Sequence, residues 1–175
     1  LVALSGNSAD LSALIDTGIE MAVFSGLLDG YAVRPSWSVA GVDYDVGTPS
    51  GVTLKDPSTI KMSGVSVNAS AHIVTVSGSN VTLDGYDFSV GGGWQVNVVN
   101  NANNVTIQNS YFKVGSNNLM PIDADHGGSV NVLHNTFDGG AANGSTVNSM
   151  FYTGAGAVVE YNRFTKFPND AIDIT

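Results

Sequence analysis

The sequence predicts an all-β solenoid, because a hydrophobic template recurs along most of the chain and each copy divides into short strands of alternating apolar and polar residues. The template is an apolar residue, any residue, a second apolar residue, four residues rich in turn formers, and a large apolar residue. Successive copies start 21, 24, 25 and 27 residues apart. The copies are Ile60–Val67, Val81–Phe88, Val105–Phe112, Val130–Phe137 and Ala157–Phe164. A unit of this length cannot bury its own inner face, so the copies are expected to stack around one continuous core.

A second apolar pair precedes each copy of the template, separated from it by a polar or glycine-rich stretch. The pairs are Val52 and Leu54, Val74 and Val76, Val96 and Val98, Ile122 and Ala124, the neighbourhood of Phe151, and Ile172 and Ile174. Each repeat is therefore expected to hold three short strands, in about five to six coils altogether. The third strand carries Phe88, Phe112, Phe137 and Phe164 at one position, which predicts a stacked aromatic ladder in the core.

Composition and charge restrict the classes of function. Of the 175 residues, 43% are apolar and 12% are charged, which excludes a disordered polar chain and a coiled coil. The formal net charge is −9 with six Lys and Arg, so nucleic acid is not expected as a partner. Cysteine is absent, which excludes disulfides, thiolate metal sites and thiol nucleophiles. No apolar run approaches the roughly 18 residues of a transmembrane helix, so no membrane span is expected.

Residues 1–49 do not follow the repeat, and we expect them to form a cap and leading segment before the repeats of residues 50–175. Asp10 can cap a short helix that presents Leu11, Leu14 and Ile15 on one face. Such an element would cover the edge of the first coil. The chain stops inside an expected strand, so we expect a piece truncated at its C-terminus. The exposed last strand would then allow end-to-end self-association of the fragment.

The segment from Ile122 to Phe137 reads IDADHGGSVNVLHNTF and carries the most specific signature in the chain. A strand that ends in acidic residues leads through a turn to a V-x-V-x-H-N-x-F strand, and this resembles the right-handed parallel β-helix of the pectate lyase-like superfamily. Asn135 and Asn162 match the asparagine of that family's tight turn, which implies a short asparagine ladder. The resemblance covers about residues 50–175. It implies a secreted or cell-surface bacterial protein with a carbohydrate-related function.

Asp123 and Asp125 are two residues apart, so on a strand whose inner positions are Ile122 and Ala124 both carboxylates point outwards. His126 follows directly and is the one plausible acid–base partner. These three residues are the candidate catalytic group. By resemblance to the calcium-dependent lyases, Asp125 lies at a calcium-ligand position, so Asp123 and Asp125 are also the candidate ligands for Ca²⁺.

Further candidates for contact with substrate are Asp170, Asp173, Tyr152, Lys113 and Arg163. By resemblance Asp173 matches an acid that the lyases donate to their metal. In the lyases the two acidic strands are neighbours, whereas here the strand of Phe151 and Tyr152 is expected to intervene. Asp123 and Asp173 should then lie roughly 9–10 Å apart, which is too far for one calcium ion but close to the separation in inverting glycoside hydrolases.

Two classes of function therefore remain open. One is an extracellular module that binds or acts on an acidic polysaccharide, as a lyase, hydrolase or epimerase. The other is a non-catalytic structural or adhesin-like surface module. The superfamily includes both classes, and the incomplete catalytic motifs do not decide whether the chain is an enzyme.

Overall fold

The computed structural model describes residues 38–41, 44–116, 120–140, 149–154, 156–166 and 170–174. These residues form an all-β solenoid of about three turns, with helical structure limited to the 3-10 turns Pro57–Thr59 and Val90–Gly92. The helix expected near Asp10 lies outside the described residues. So the prediction of a parallel β-solenoid is confirmed, whereas the expected five to six coils and the cap are not.

Three sheets run along the solenoid. The six-stranded sheet has the order β1-β2-β4-β7-β10-β13, the four-stranded sheet β11-β8-β5-β3, and the three-stranded sheet β12-β9-β6. Each complete turn contributes one strand to every sheet. The strands are β1 (Val65–Asn68), β2 (Ile73–Val76), β3 (Thr82–Asp84), β4 (Gln95–Val98), β5 (Val105–Gln108), β6 (Tyr111–Lys113), β7 (Ile122–Ala124), β8 (Val130–Leu133), β9 (Thr136–Asp138), β10 (Ser149–Thr153), β11 (Ala157–Glu160), β12 (Arg163–Thr165) and β13 (Asp170–Ile174).

Parallel pairing places equivalent positions of successive turns directly over one another. On the inner side of the six-stranded sheet this produces an apolar row of Val74, Val96, Ile122, Phe151 and Ile172. The predicted aromatic ladder is confirmed on the three-stranded side: the ring centroids of Phe88, Phe112, Phe137 and Phe164 are 4.5, 4.9 and 4.8 Å apart, with nearly parallel planes. The repeated large apolar residue therefore fills the core.

The predicted asparagine ladder forms at the corner between the four-stranded and three-stranded sheets. Asn135 Oδ1 accepts the backbone N–H of Ser110 at 2.9 Å, and Asn162 Oδ1 accepts that of Asn135 at 2.8 Å. The Asn135 side-chain amide donates to the Ile107 carbonyl at 2.8 Å. One turn earlier the Ser110 hydroxyl accepts the N–H of Tyr86 at 3.0 Å, so serine continues the ladder where asparagine is absent.

The first predicted repeat, Ile60–Val67, is not a coil of the solenoid. Its strand β1 runs antiparallel to β2 in a hairpin that pairs Val67 with Val74. The hairpin is tight because Gly64, at φ 76°, lies so close to Gly78 that a Cβ on it would be 2.6 Å from the Gly78 Cα. Nor do Val52 and Leu54 form a strand. The antiparallel strand instead covers the outer edge of β2 and ends the sheet with the polar residues Ser66 and Asn68.

Residues 44–55, which we call the strap, run lengthwise along the same corner and cross successive turns in reverse order. The Gly47 N–H donates to the Tyr161 carbonyl at 2.7 Å. Thr48 then bonds to Thr136 and, through its hydroxyl at 2.7 Å, to the carbonyl of Ser110. At its other end the Lys55 N–H donates to the Gly85 carbonyl at 2.9 Å. The strap thereby joins turns that are otherwise connected only through their neighbours. Within the described part of the chain no helix is long and apolar enough to span a membrane.

Candidate functional site

The outer face of the six-stranded sheet carries an in-register polar row. Thr75 pairs with Asn97, Asn97 with Asp123, Asp123 with Tyr152, and Tyr152 with Asp173. Parallel strands are about 4.8 Å apart, so the row presents one side chain at each step along the solenoid axis. We call Asn97, Asp123, Tyr152 and Asp173 the outer row. Asn97, which the sequence reasoning missed, belongs to it because β4 pairs with β7.

The expected separation of Asp123 and Asp173 has a direct structural basis. Tyr152 lies between them in register, so their backbones are two strand spacings, or about 9.6 Å, apart. A single calcium ion, bound to oxygen at about 2.3–2.6 Å, does not bridge two carboxylates at that spacing. Asp170 is not part of the row, because it lies opposite the buried Ser149 at the start of β13.

Asp125 and His126 lie just beyond the end of β7. The Asp125 N–H donates to Asp123 Oδ1 at 3.3 Å, and Asp125 Oδ2 is 3.4 Å from His126 Nδ1. The strand ends at Ala124, so the alternation that predicted one face for both acids stops one residue before Asp125. Together with Val99, Asn100 and Asn101, Asp125 and His126 line an open pocket of about 560 Å³. The three candidate catalytic residues are thus neighbours at the junction of the sheet and this pocket.

The protein atoms at the end of β7 supply only part of the coordination shell of a calcium ion. Ca²⁺ takes six to eight oxygen ligands. Asp123 and Asp125 supply two carboxylates, and one oxygen of Asp123 already accepts a backbone N–H. Across the described ranges, no three His, Asp or Glu side chains gather closely enough to hold a metal ion. A calcium ion bound here would need the rest of its ligands from water or from a bound sugar.

The predicted residues Lys113 and Arg163 belong to a different surface, the outer side of the three-stranded sheet. Lys166 lies beside them, 3.7 Å from the Asp138 carboxylate. Burial acts to raise the pKa of Asp138, but the Gly140 N–H, Lys166 and the Tyr111 hydroxyl outweigh it, so the pKa lies below its ordinary value. Burial, followed by the nearby Asp138 charge, raises the pKa of Tyr111. Because Asp123 and Asp173 lie on the six-stranded sheet, the two basic candidates do not face the acidic candidates.

A third group of polar and aromatic residues was missed by the sequence reasoning, apart from Arg163, which was named as a candidate for contact with substrate. Ala40, Gly41, Asp45, Val46 and Arg163 line a pocket of about 450 Å³. Beside it the ring of Tyr161 stacks on His134 with centroids 4.8 Å apart and meets Tyr44 edge to face at 5.8 Å. The available signal was the position of His134 and Tyr161 directly before the ladder asparagines, where the backbone is left-handed with φ of 51° and 55°.

In comparisons with known proteins, no protein-family model, no curated protein and no solved structure matches the chain. The fold assignment therefore rests on the strand topology and on the ladders described above.

Proposed function

We propose that this protein is an extracellular carbohydrate-binding module of the right-handed, pectate lyase-like β-helix class, and that a polysaccharide binds along the outer row. The observation that carries the proposal is the row itself. An amide, a carboxylate, a phenol and a second carboxylate follow one another in register at Asn97, Asp123, Tyr152 and Asp173. A ligand with a repeated structure suits a protein surface with a repeated spacing.

The chemistry of the row matches that of a sugar chain. Carboxylate and amide oxygens accept hydrogen bonds from sugar hydroxyls, while the amide N–H₂ of Asn97 donates to hydroxyl oxygens. An aromatic ring such as that of Tyr152 offers an apolar face to the C–H side of a sugar ring and a hydroxyl at its tip. All four side chains lie on the outer face of the sheet. In each strand the preceding residue points inwards and packs against its equivalents in the neighbouring strands; these inner residues are Val96, Ile122, Phe151 and Ile172.

The right-handed sense of the solenoid is part of the proposal. A strand followed by a crossover and a parallel strand in the same sheet is right-handed in about 98% of cases. The connections from β4 to β7 and from β7 to β10 are crossovers of that kind. The hydrogen-bonded ladder of Asn135 and Asn162 also supports the proposal, because the resemblance predicts asparagines stacked at the tight turn.

The charge of the row bears on the kind of sugar. Asp123 and Asp173 repel an acidic polysaccharide, whereas a neutral one meets only hydrogen-bonding groups. An acidic polysaccharide would bind with Ca²⁺ between its own carboxylates and those of Asp123 and Asp125. Binding with and without calcium therefore separates the two ligand classes.

Catalysis is the second candidate, and the separation of Asp123 and Asp173 is the observation that favours it. Inverting glycoside hydrolases hold their two carboxyl groups about 6.5–9.5 Å apart, which is close to two strand spacings. Tyr152 lies between the two acids, where a sugar would bind. Hydrolysis would then use Asp123 and Asp173 as the acid–base pair, with Asp125 and His126 at the margin of the site.

The test is a binding panel that uses the full 175-residue chain. Soluble neutral glucans, polygalacturonate and alginate are titrated by calorimetry in the presence of CaCl₂ and of a chelator, and reducing ends are assayed in parallel. The variants Asp123→Asn and Tyr152→Ala are expected to weaken binding about tenfold or more. Asp84→Asn is the control matched in charge, because Asp84 lies on the four-stranded sheet.

Each result decides between the alternatives. Loss of binding in Asp123→Asn and Tyr152→Ala but not in Asp84→Asn supports the outer row. An equal loss in Asp123→Asn and in Asp84→Asn would show that the effect of the charge is not specific to the outer row and would reject the row. If the wild type binds no member of the panel with or without calcium, the carbohydrate proposal is wrong and the structural module is favoured. New reducing ends that disappear in Asp173→Asn and form without an unsaturated product would establish hydrolysis, because a lyase also releases reducing ends.

A further inference from the structure

The carboxylates of the outer row are not neutralised by basic residues of the same sheet. None of the six strands of this sheet contains Lys or Arg. Neither Asp123 nor Asp173 is in an ion pair with another residue that the structure describes. Asp125 adds a third carboxylate at the end of β7. The outer face of the sheet is therefore a surface of negative charge on a chain whose net charge is already −9.

The basic residues of the repeats lie on or beside a different sheet. Lys113 is in β6 and Arg163 is in β12, both in the three-stranded sheet. Lys166 directly follows β12, and its ammonium group is 3.7 Å from the Asp138 carboxylate. Because the fold keeps these cations away from the outer row, the counter-charge for Asp123 and Asp173 has to come from solution or from a ligand.

Tyr152 places an aromatic ring between the two acids of the row. It pairs in register with Asp123 on one side and with Asp173 on the other, and its side chain is half-buried. An ammonium group is attracted to the face of a tyrosine ring, and the same face packs against the C–H groups of a sugar ring. A ligand that carries both an ammonium group and a sugar ring therefore matches the carboxylates and the ring together.

Asn97 extends the row by one strand and supplies a hydrogen-bond donor. The side-chain amide of Gln95 donates to Asn97 Oδ1 at 2.6 Å, which leaves the N–H₂ group of Asn97 as the group that can donate to a ligand. An ammonium group has only donors and cannot accept this hydrogen bond, whereas a sugar hydroxyl can. The row therefore suits a ligand that carries hydroxyl groups as well as cationic groups, and a simple polyamine would leave Asn97 unused.

We propose that the outer row binds a cationic polysaccharide built of amino sugars, with ammonium groups on Asp123 and Asp173 and a sugar ring over Tyr152. The two acids are two strand spacings, or about 9.6 Å, apart, and a β-1,4-linked chain advances by roughly one strand spacing per ring. Alternate rings of such a chain face the same way, so ammonium groups two rings apart reach both carboxylates and form charge-assisted hydrogen bonds with them. The inference rests on the proposed function, because it names the class of sugar for the same row.

The test is a calorimetric titration of the full chain at about pH 5.5, where amines are protonated and carboxyl groups are ionised. The ligands are the β-1,4-linked hexamers of glucosamine, N-acetylglucosamine and glucose, which differ only in the ammonium, acetamide or hydroxyl group at C2, and pentalysine, a cation without a sugar ring. The glucosamine hexamer is expected to bind at least about tenfold more tightly than each of the other three. Its affinity should fall as NaCl is raised from about 20 to about 200 mM, because salt screens exposed charges.

Two variants and one control locate the binding. Asp123→Asn and Asp173→Asn each remove one carboxylate with little change of shape, so each is expected to weaken binding of the glucosamine hexamer about tenfold and to reduce its salt dependence. Asp84→Asn removes the same charge from the four-stranded sheet, so it should bind as the wild type does. An unchanged thermal unfolding curve verifies the fold of each variant.

Four results would overturn the inference. Equal binding of the glucosamine and glucose hexamers would show that the row does not use its charge, and the proposed function would stand. Equal binding of pentalysine would show that the sugar ring contributes nothing, which would count against both proposals. Equal weakening in Asp123→Asn and Asp84→Asn would attribute the effect to overall charge. If the glucosamine hexamer does not bind at all, the inference is wrong, and binding of another polysaccharide that is lost in Asp123→Asn would still support the outer row.

Discussion

Replacing Phe112 by alanine is expected to lower the free energy of unfolding by about 3–5 kcal/mol. The ring is fully buried, and it lies between Phe88 at 4.5 Å and Phe137 at 4.9 Å. Each stack contributes about 0.5–1.5 kcal/mol beyond the burial of the ring, so about 1–3 kcal/mol of the loss comes from the two stacks. The neighbours cannot close the gap, because backbone hydrogen bonds fix the spacing of successive turns at about 4.8 Å.

The measurement is urea-induced unfolding followed by circular dichroism and by intrinsic fluorescence. Phe164→Ala is the comparison variant, because Phe164 stacks on Phe137 in the same ladder but is only partly buried. It is expected to lose less free energy of unfolding than Phe112→Ala, because less apolar surface is buried at this position. Phe112→Leu fills most of the cavity and should lie between the alanine variant and the wild type. A loss below about 1 kcal/mol for Phe112→Ala, with an unchanged slope against urea, would refute the packing argument.

Three other perturbations test the corners and the end of the solenoid. Asn135→Ala leaves the buried N–H of Ser110 without its acceptor and removes one donor from the Ile107 carbonyl, so it should lower the free energy of unfolding in urea by about 2 kcal/mol, and a much smaller loss would mean that water replaces the side chain. Asp138 has a lowered pKa in the folded state, so its contribution to stability is complete above its ordinary pKa and is lost as pH falls below about 4. The stability difference between the wild type and Asp138→Asn should therefore shrink from pH 5 to pH 2, and a constant difference would contradict this. β13 pairs only with β10 in the described sheet, and Ile174 is 72% exposed, so Ile174→Lys should reduce any concentration-dependent association seen by sedimentation, whereas an equal association of both proteins would exclude this edge as the contact.

Parallel stacking explains which parts of the fold the sequence could predict. A position that recurs in every turn is placed over its equivalent, so the spacing of Phe88, Phe112 and Phe137 was sufficient to predict their contact. The same reasoning correctly placed Asn135 and Asn162 at one corner. These are contacts between residues about one repeat apart, and periodicity reports directly on them.

The parts that could not be predicted depend on chain reversals and on contacts that skip the repeat. Ile60–Val67 satisfies the hydrophobic template, but the turn after Asn68 and the close approach of Gly64 to Gly78 make β1 antiparallel. The strap joins Thr48 to Thr136, 88 residues away, through a hydroxyl that no periodic pattern singles out. The pocket at Arg163 exists only because the strap is there, so single-residue reasoning could name the arginine but not its surroundings.

Stacked repeats also separate the residues that build the fold from those that are free to carry function. Burial restricts the inner positions to mostly apolar residues. At the corner, Asn and Ser side chains are required to pair with buried backbone carbonyls and N–H groups. The outer positions of the six-stranded sheet meet neither requirement, and they read Thr75, Asn97, Asp123, Tyr152 and Asp173 in register. Because substitutions there leave the core and ladders intact, loss of binding without loss of stability is the signature that distinguishes a ligand-binding row from a solvated face.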